Sequence, residues 1–358
     1  MVFSPVPRES RSQINRAGRI LVARNPSVED LKWALDLAER WRACHAYPIN
    51  TFQANLRGKL RSFGGEPIAA QRLKRMPTII DKLKRYPEME LARMQDIGGI
   101  RAILASVEDV YALASRFRDS LHLKHELIRE YDYIKKPRDE DGYRSLHLVY
   151  KYRSKRAPDY NGLFLELQIR TRLQHVWATA VETMGTFLGQ ALKSRQGDKE
   201  WLDFFALVSS AFSHLENCAP IPRFAHMGIE QTIDAVAEAE SGIGALTKMT
   251  GLAAAANEIV GNKRSLGASS YHLIVLDSLN KKVNITAYGR DDFDQAALDY
   301  VAAEARALKG EKIEPVLVSA GPIDQLHKAY PNFFLNISDF VTSVTQMVEN
   351  SRTRKAVT

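Results

Sequence analysis

The stretch Leu163-Phe-Leu-Glu-Leu-Gln-Ile-Arg-Thr171 alternates without a break. Leu165, Leu167 and Ile169 fall on one face of an extended segment, and Glu166, Gln168 and Arg170 fall on the other, because successive strand side chains point to opposite sides. A chain carrying this strand must cover one sheet face with a core. It leaves an acid, an amide and a base on the opposite face. Any half-exposed strand can show such a pattern, so by itself the stretch says sheet and not chemistry.

With 358 residues, 45% hydrophobic and 26% charged, the chain has material for two domains and an ordinary soluble composition. No apolar run approaches the ~20 residues of a membrane helix, and no apolar core follows the N-terminal arginines as a secretory signal would require. We therefore expect a cytoplasmic protein with no membrane partner. Cys44 and Cys218 lie far apart without CxxC spacing, so neither a disulfide framework nor a zinc site is expected. The net charge of +8 is concentrated. Between Arg57 and Arg85 nine basic residues face only Glu66 and Asp81. That suits a polyanion such as a triphosphate or an RNA backbone, or else a solvated basic helix face.

Within this window, Arg72 and Lys74 project the same way if extended, and Pro77 suits the first turn of a new helix. Thr78 and Lys82 are then i,i+4 neighbours on that helix. Cations, a hydroxyl and free N–H groups at a helix start make a phosphate cradle. Neither a P-loop nor a GxGxxG motif is present. Downstream, Asp96-Ile-Gly-Gly-Ile-Arg101 puts an acid at a glycine turn before a buried strand, expected over 100–105. Such an acid can ligate magnesium or merely shape the turn. In Asp132-Tyr-Ile-Lys-Lys-Pro-Arg-Asp-Glu-Asp-Gly-Tyr-Arg-Ser-Leu-His147, a Tyr ring beside Lys135, Lys136 and Arg138 suits a purine with phosphates attached. His147 alone would read as a hydrogen-bonded strand histidine.

Together with the strand at Glu166, these motifs resemble the RelA/SpoT synthetase family over roughly residues 70–190. The resemblance implies an α/β (α+β) fold, a nucleotidyltransferase-like mixed sheet flanked by helices. It implies a GTP pyrophosphokinase of the stringent response, moving pyrophosphate from ATP to the 3′-hydroxyl of GDP or GTP to make the alarmone (p)ppGpp. Arg72, Lys74, Thr78, Lys82 and Arg101 would hold ATP. Lys135, Lys136, Arg138, Tyr143, His147 and Arg170 would hold the acceptor. Asp96, Glu166 and Gln168 would be catalytic, with Asp96 and Glu166 holding Mg²⁺. An alternative within the superfamily is a toxin that modifies tRNA 3′ ends or adenine nucleotides, restrained by a fused domain or an antitoxin partner. A non-catalytic nucleotide sensor is a third reading, against which the intact Asp96 and Glu166 argue. The segment from Pro137 to Gly142 is one residue longer than the commonest family spacing. Its acids Asp139, Glu140 and Asp141 are expected to repel acceptor phosphates or reshape the pocket.

Around this core we expect an irregular arm over 1–27, a helix from Val28 closed near Pro48, and a second over 50–63, making residues 1–65 an N-terminal unit. The synthetase domain is expected over 66–220. Within it, Leu173, Val176, Trp177, Ala180, Met184, Phe187 and Leu188 form the stripe of a helix that follows Thr171, with His175 and Glu182 off the stripe on roughly one face, where they either close the active site or are solvated. Another helix is expected over 200–216. Residues 221–266 read as a helical connector, whose stripe from Ile229 to Leu252 fits either a homo-oligomer interface or packing on its own domain. After Gly261–Gly267, residues 267–350 read as a small C-terminal α/β domain. It holds strands at 272–277, 282–288 and 315–319 and helices at 293–308 and 338–348. We find no chemical constellation there and expect a regulatory or interaction role.

Overall fold

The computed structural model describes residues 3–120, 123–187, 199–246, 249, 271–277, 280, 282–289, 291–311, 313–319 and 338–357. The expected Leu188, Leu252 and the Gly261–Gly267 linker lie outside the described residues.

The alternating strand is β5 (Phe164–Thr171), in the middle of a five-stranded mixed sheet. Its companions are β1 (Ile68–Leu73), β2 (Gly98–Leu104), β3 (Glu126–Asp132) and β4 (Leu146–Lys151), in the order β1-β2-β5-β4-β3. Only the β2–β5 pair is parallel; the other three are antiparallel. Leu165, Leu167 and Ile169 are fully buried with Leu146, Leu148 and Tyr150 of β4. Over that face pack α3 (Ala46–Leu60), through Phe52 and Leu56, and α5 (Val107–Arg118), through Leu113 and Phe117. A β-carbon on Gly98 would stand 3.0 Å from Leu165 Cδ2 and 3.1 Å from Ile49 Cγ1, so the glycine lets β2 sit against both β5 and α3.

Two further cores flank the sheet. α1 (Arg11–Leu21) and α2 (Val28–Ala43) pack with α4 (Met76–Arg85) around Ile14, Leu37, Trp41, Ile79 and Leu83. The existence of α1 corrects the expectation of an irregular arm. Ser10 and Gln13 form a reciprocal capping box, and Ile14, Ala17, Gly18 and Leu21 make a buried stripe at helical spacing. Pro48 does not close α2. It sits in the first turn of α3, where its missing N–H costs no helical bond. The third core joins α6 (Arg172–Phe187), α7 (Lys199–Leu215) and α8 (Ile229–Ile243) with the terminal helix α10 (Ser338–Val357). Phe340 of α10 packs against Phe204, Phe205 and Phe212. Ile233 and Val236 of α8 are buried there, so this part of the connector stripe faces its own chain.

The remaining unit is a three-stranded antiparallel sheet, β7 (Lys282–Tyr288), β6 (Tyr271–Asp277), β8 (Ile313–Ser319), packed on α9 (Phe293–Leu308). Among the described residues no helix is long and apolar enough to cross a membrane.

Candidate active site

The sheet face opposite the α3–α5 core carries the polar residues. Pairing puts Arg101, Gln168, His147 and Tyr131 in one cross-strand row, and Arg72, Gly99, Glu166, Val149 and Arg129 in the next. Over this face opens a cleft of about 1810 Å³. That exceeds the ~300–1,000 Å³ of a single small-ligand pocket. Its lining includes Arg72, Lys74, Thr78, Lys82, Asp96, Arg101, Arg138, Tyr143, His147, Glu166, Gln168 and Arg170.

One end is built by α4 and the loop before β2. The chain leaves β1, and the Lys74 N–H bonds to Ile97 O at 2.8 Å, tying this turn to the Asp96 loop. Pro77 lies in the first turn of α4. Lys74 Nζ lies 3.0 Å from Asp96 Oδ2, and Lys82 Nζ lies 2.9 Å from Oδ1. Burial alone would raise the Asp96 pKa, but the two ammonium charges outweigh it and hold the carboxylate well below its ordinary range.

Beside it, with Asp96 and Glu166 lining one small pocket, three side chains form a chain of hydrogen bonds. Tyr143 Oη meets His147 Nε2 at 2.9 Å, and His147 Nδ1 meets Glu166 Oε1 at 2.9 Å. Gln168 Nε2 donates to Glu166 Oε2 at 2.7 Å. Burial would lower the His147 pKa, yet Tyr143 and Glu166 push it up to about 9. Burial would raise Tyr143, yet His147 and Arg170 bring it down to about 8. Glu166 is lowered by His147 against its own desolvation. Arg170 is buried beside Arg101, and both effects drive its pKa down. Its guanidinium bonds to His175, and its Nε has no partner among the described residues. That crowding of cations favours an anion in the cleft.

Two acids of the long loop are held by partners within the protein. Asp141 pairs with Arg138 at 2.6 Å and accepts the Tyr143 N–H, while Asp139 accepts the Arg223 N–H. Asp139 and Asp141 therefore shape the loop, which agrees with the second of the two expectations, that these acids reshape the pocket. Gly142 at φ +77° completes the turn, with space for no β-carbon against Ser209 and Ile221. Arg138 then stacks 4.5 Å over the Tyr143 ring. Lys135 and Lys136 are exposed and do not line the cleft. The Asp132 carboxylate accepts the N–H groups of Ile134 and Lys135, making an Asx turn that sends both lysines outward.

Sequence reasoning missed several cleft residues. Arg129 and Tyr131 come from β3, a strand it did not expect, although their i,i+2 spacing ahead of Asp132 was a usable signal. Tyr133 lies edge-on to both Tyr143 and His147. Two residues that the sequence did single out also come to the site: Glu182, 3.9 Å from Arg75, lines the cleft, and His175 is buried against Arg170. The pair off the α6 stripe is thus turned to the site rather than solvated.

Residues 71–185 match the family model described as the region found in RelA / SpoT proteins. The chain thus carries a RelA/SpoT-type region, as the motifs led us to expect. It is similar to the GTP pyrophosphokinases YjbM and YwaC of Bacillus subtilis (strain 168). Identity to YjbM is 32% over 30% of this chain and 51% of the relative, and to YwaC 30% over 32% and 57%. The chain spans about half the length of these curated relatives. Among solved structures, the small alarmone synthetase 1 of Bacillus subtilis bound to its product pppGpp is 23% identical, with a TM-score of 0.43, covering 50% of this chain and 92% of that one.

Proposed function

We propose that the chain is a pyrophosphokinase that transfers the β,γ-pyrophosphoryl group of ATP to the 3′-hydroxyl of a guanine nucleotide, GDP or GTP, in the cytoplasm. The observation that carries this is one sheet face and its rim presenting a lysine-held Asp96 and a fixed Glu166–Gln168 pair in one cleft. The regional match and the relatives named GTP pyrophosphokinase support it.

In this reading Arg72, Lys74, Thr78 and Lys82 hold the donor polyphosphate, with Arg101 beside them. Among the described residues no three His, Cys, Asp or Glu side chains gather as a metal cage. Two carboxylates fit Mg²⁺, which commonly takes one or two protein acids and completes its shell with phosphates and water. Asp96 and Glu166 would hold the ion, which when bound supplies charge neutralisation on the phosphates. Arg138 and Tyr143 take the acceptor base, and Arg170 its phosphates. Gln168 fixes Glu166, which accepts the hydrogen bond of the 3′-hydroxyl. As the bond from that oxygen to the β-phosphorus forms and the bond from the β-phosphorus to the bridging oxygen breaks, Glu166 takes the proton and AMP leaves.

The size of the cleft and the arginines in its lining, Arg11, Arg85, Arg93 and Arg129, favour one other acceptor, the 3′ end of a tRNA. Incubation of β-labelled ATP with GDP, GTP, AMP or bulk tRNA separates the two. Label in the guanine nucleotides supports the first reading. Label confined to AMP or tRNA replaces it.

A further inference from the structure

The small C-terminal unit walls the same cleft: Ala307 and Leu308 of α9 and Ile313 and Pro315 of β8 are in its lining. One side chain from this unit goes further. Glu304 of α9, only 4% exposed, accepts the Met76 N–H at 3.0 Å through Oε1. Met76 is the first residue of α4, where the phosphate cradle starts. Pro77 has no N–H, so the turn from Met76 to Thr78 offers only two backbone donors, and Glu304 takes one.

The contact is locked from both sides. Tyr300 Oη donates to Glu304 Oε1 at 2.6 Å, and Arg42 Nη2 of α2 reaches Oε2 at 3.2 Å. Arg42 also donates to Tyr300 Oη at 3.0 Å and packs over its ring at 4.8 Å. Since Arg42 is shared with Glu39 at 2.5 Å, one cation serves two carboxylates, and the cluster keeps a net negative charge. A helix N-terminus attracts one anion, and a second anion nearby meets the charge of the first.

We propose that the C-terminal unit restrains this protein through Glu304, a built-in anion at the α4 N-terminus that competes with a donor phosphate. Withdrawal of α9 from α4 opens the donor end of the cleft. The inference rests on the assignment of that end to ATP. A carboxylate serving only as a helix cap would give the opposite result when neutralised, because loss of a cap loosens α4 and weakens the site.

The test measures ATP binding without any acceptor, by equilibrium dialysis with Mg²⁺, on the full chain and on Glu304→Gln, which keeps the acceptor oxygen and removes the charge. Binding at least about fivefold tighter in the variant is expected, the low end of usual coupling between sites. Tyr300→Phe, which removes a hydroxyl from the lock and leaves the carboxylate, should tighten binding by about twofold, and it decides the matter if Glu304→Gln fails to fold. Equal or weaker binding in the folded variants overturns the inference and leaves the donor-site assignment standing. Failure of wild type and variants alike to bind ATP overturns both.

Discussion

His147 is buried between Tyr143 and Glu166, and its pKa stands near 9 rather than the ordinary 6.5. A base with a raised pKa in the folded state adds stability that is complete below its unfolded pKa. That stability is lost as pH rises through the folded pKa. The window therefore runs from 6.5 to about 9. Tyr143, lowered to about 8, acts in the opposite sense above that pH, because an acid with a depressed pKa gains stability as it ionises. The clear interval is thus pH 6.5 to 8. One and a half pH units at ~1.4 kcal/mol each give a fall of about 2 kcal/mol, followed by flattening. With His147 only 8% exposed, screening takes little from this figure. The assay is denaturant unfolding at half-unit steps from pH 6 to 9.5, for wild type and His147→Gln. The variant should start lower by about 3 kcal/mol, the cost of leaving Glu166 without its cation, and its profile should be flat across the interval. A flat wild-type profile, or the same slope in both proteins, refutes the assignment of a protonated His147 held by these neighbours.

Asp96→Asn should lower pyrophosphoryl transfer by ~10²-fold or more, while ATP binding stays as tight or tightens, since Lys74 and Lys82 are released. Initial rates and dialysis check this, and weakened ATP binding with transfer above about a tenth of wild type would contradict it. Tyr143→Ala should raise the acceptor KM by roughly tenfold, a value expected from losing a stacking platform of ~1–3 kcal/mol, and should leave the ATP KM little changed. Steady-state kinetics with each substrate varied decide the point.

Local pattern carried a large part of this architecture. β5 was legible because one period-two stretch buries Leu165, Leu167 and Ile169 on one side and turns the partly buried Glu166 and Gln168 to the cleft on the other. Pro77 marked the start of α4 for the same reason that prolines fit any helix start. What failed was pattern hidden by charge: the arginines of α1 obscured the Ile14–Leu21 stripe, and mostly exposed β3 has no apolar alternation to reveal it. In the site, proximity in sequence misled at Lys135 and Lys136, because the Asp132 turn decides their direction. Contacts between distant segments left no local trace. Glu304 reaches Met76 across 228 positions, and α10 closes the α6–α8 core from the far end of the chain. Periodicity shows that such helices exist and which face is apolar. It does not show which partner the face meets.

Following the two outer phosphates of ATP separately tests whether an intact pyrophosphoryl group moves. ATP labelled at the β-phosphorus and ATP labelled at the γ-phosphorus are each incubated with the full chain, Mg²⁺ and GDP or GTP, and the nucleotides are resolved. Transfer of an intact pyrophosphoryl group predicts equal incorporation of both labels into the guanine nucleotide, with unlabelled AMP as the co-product and no incorporation by the Glu166→Gln variant. Retention of the β-label in ADP, with only the γ-label moving to the acceptor or to inorganic phosphate, would contradict it.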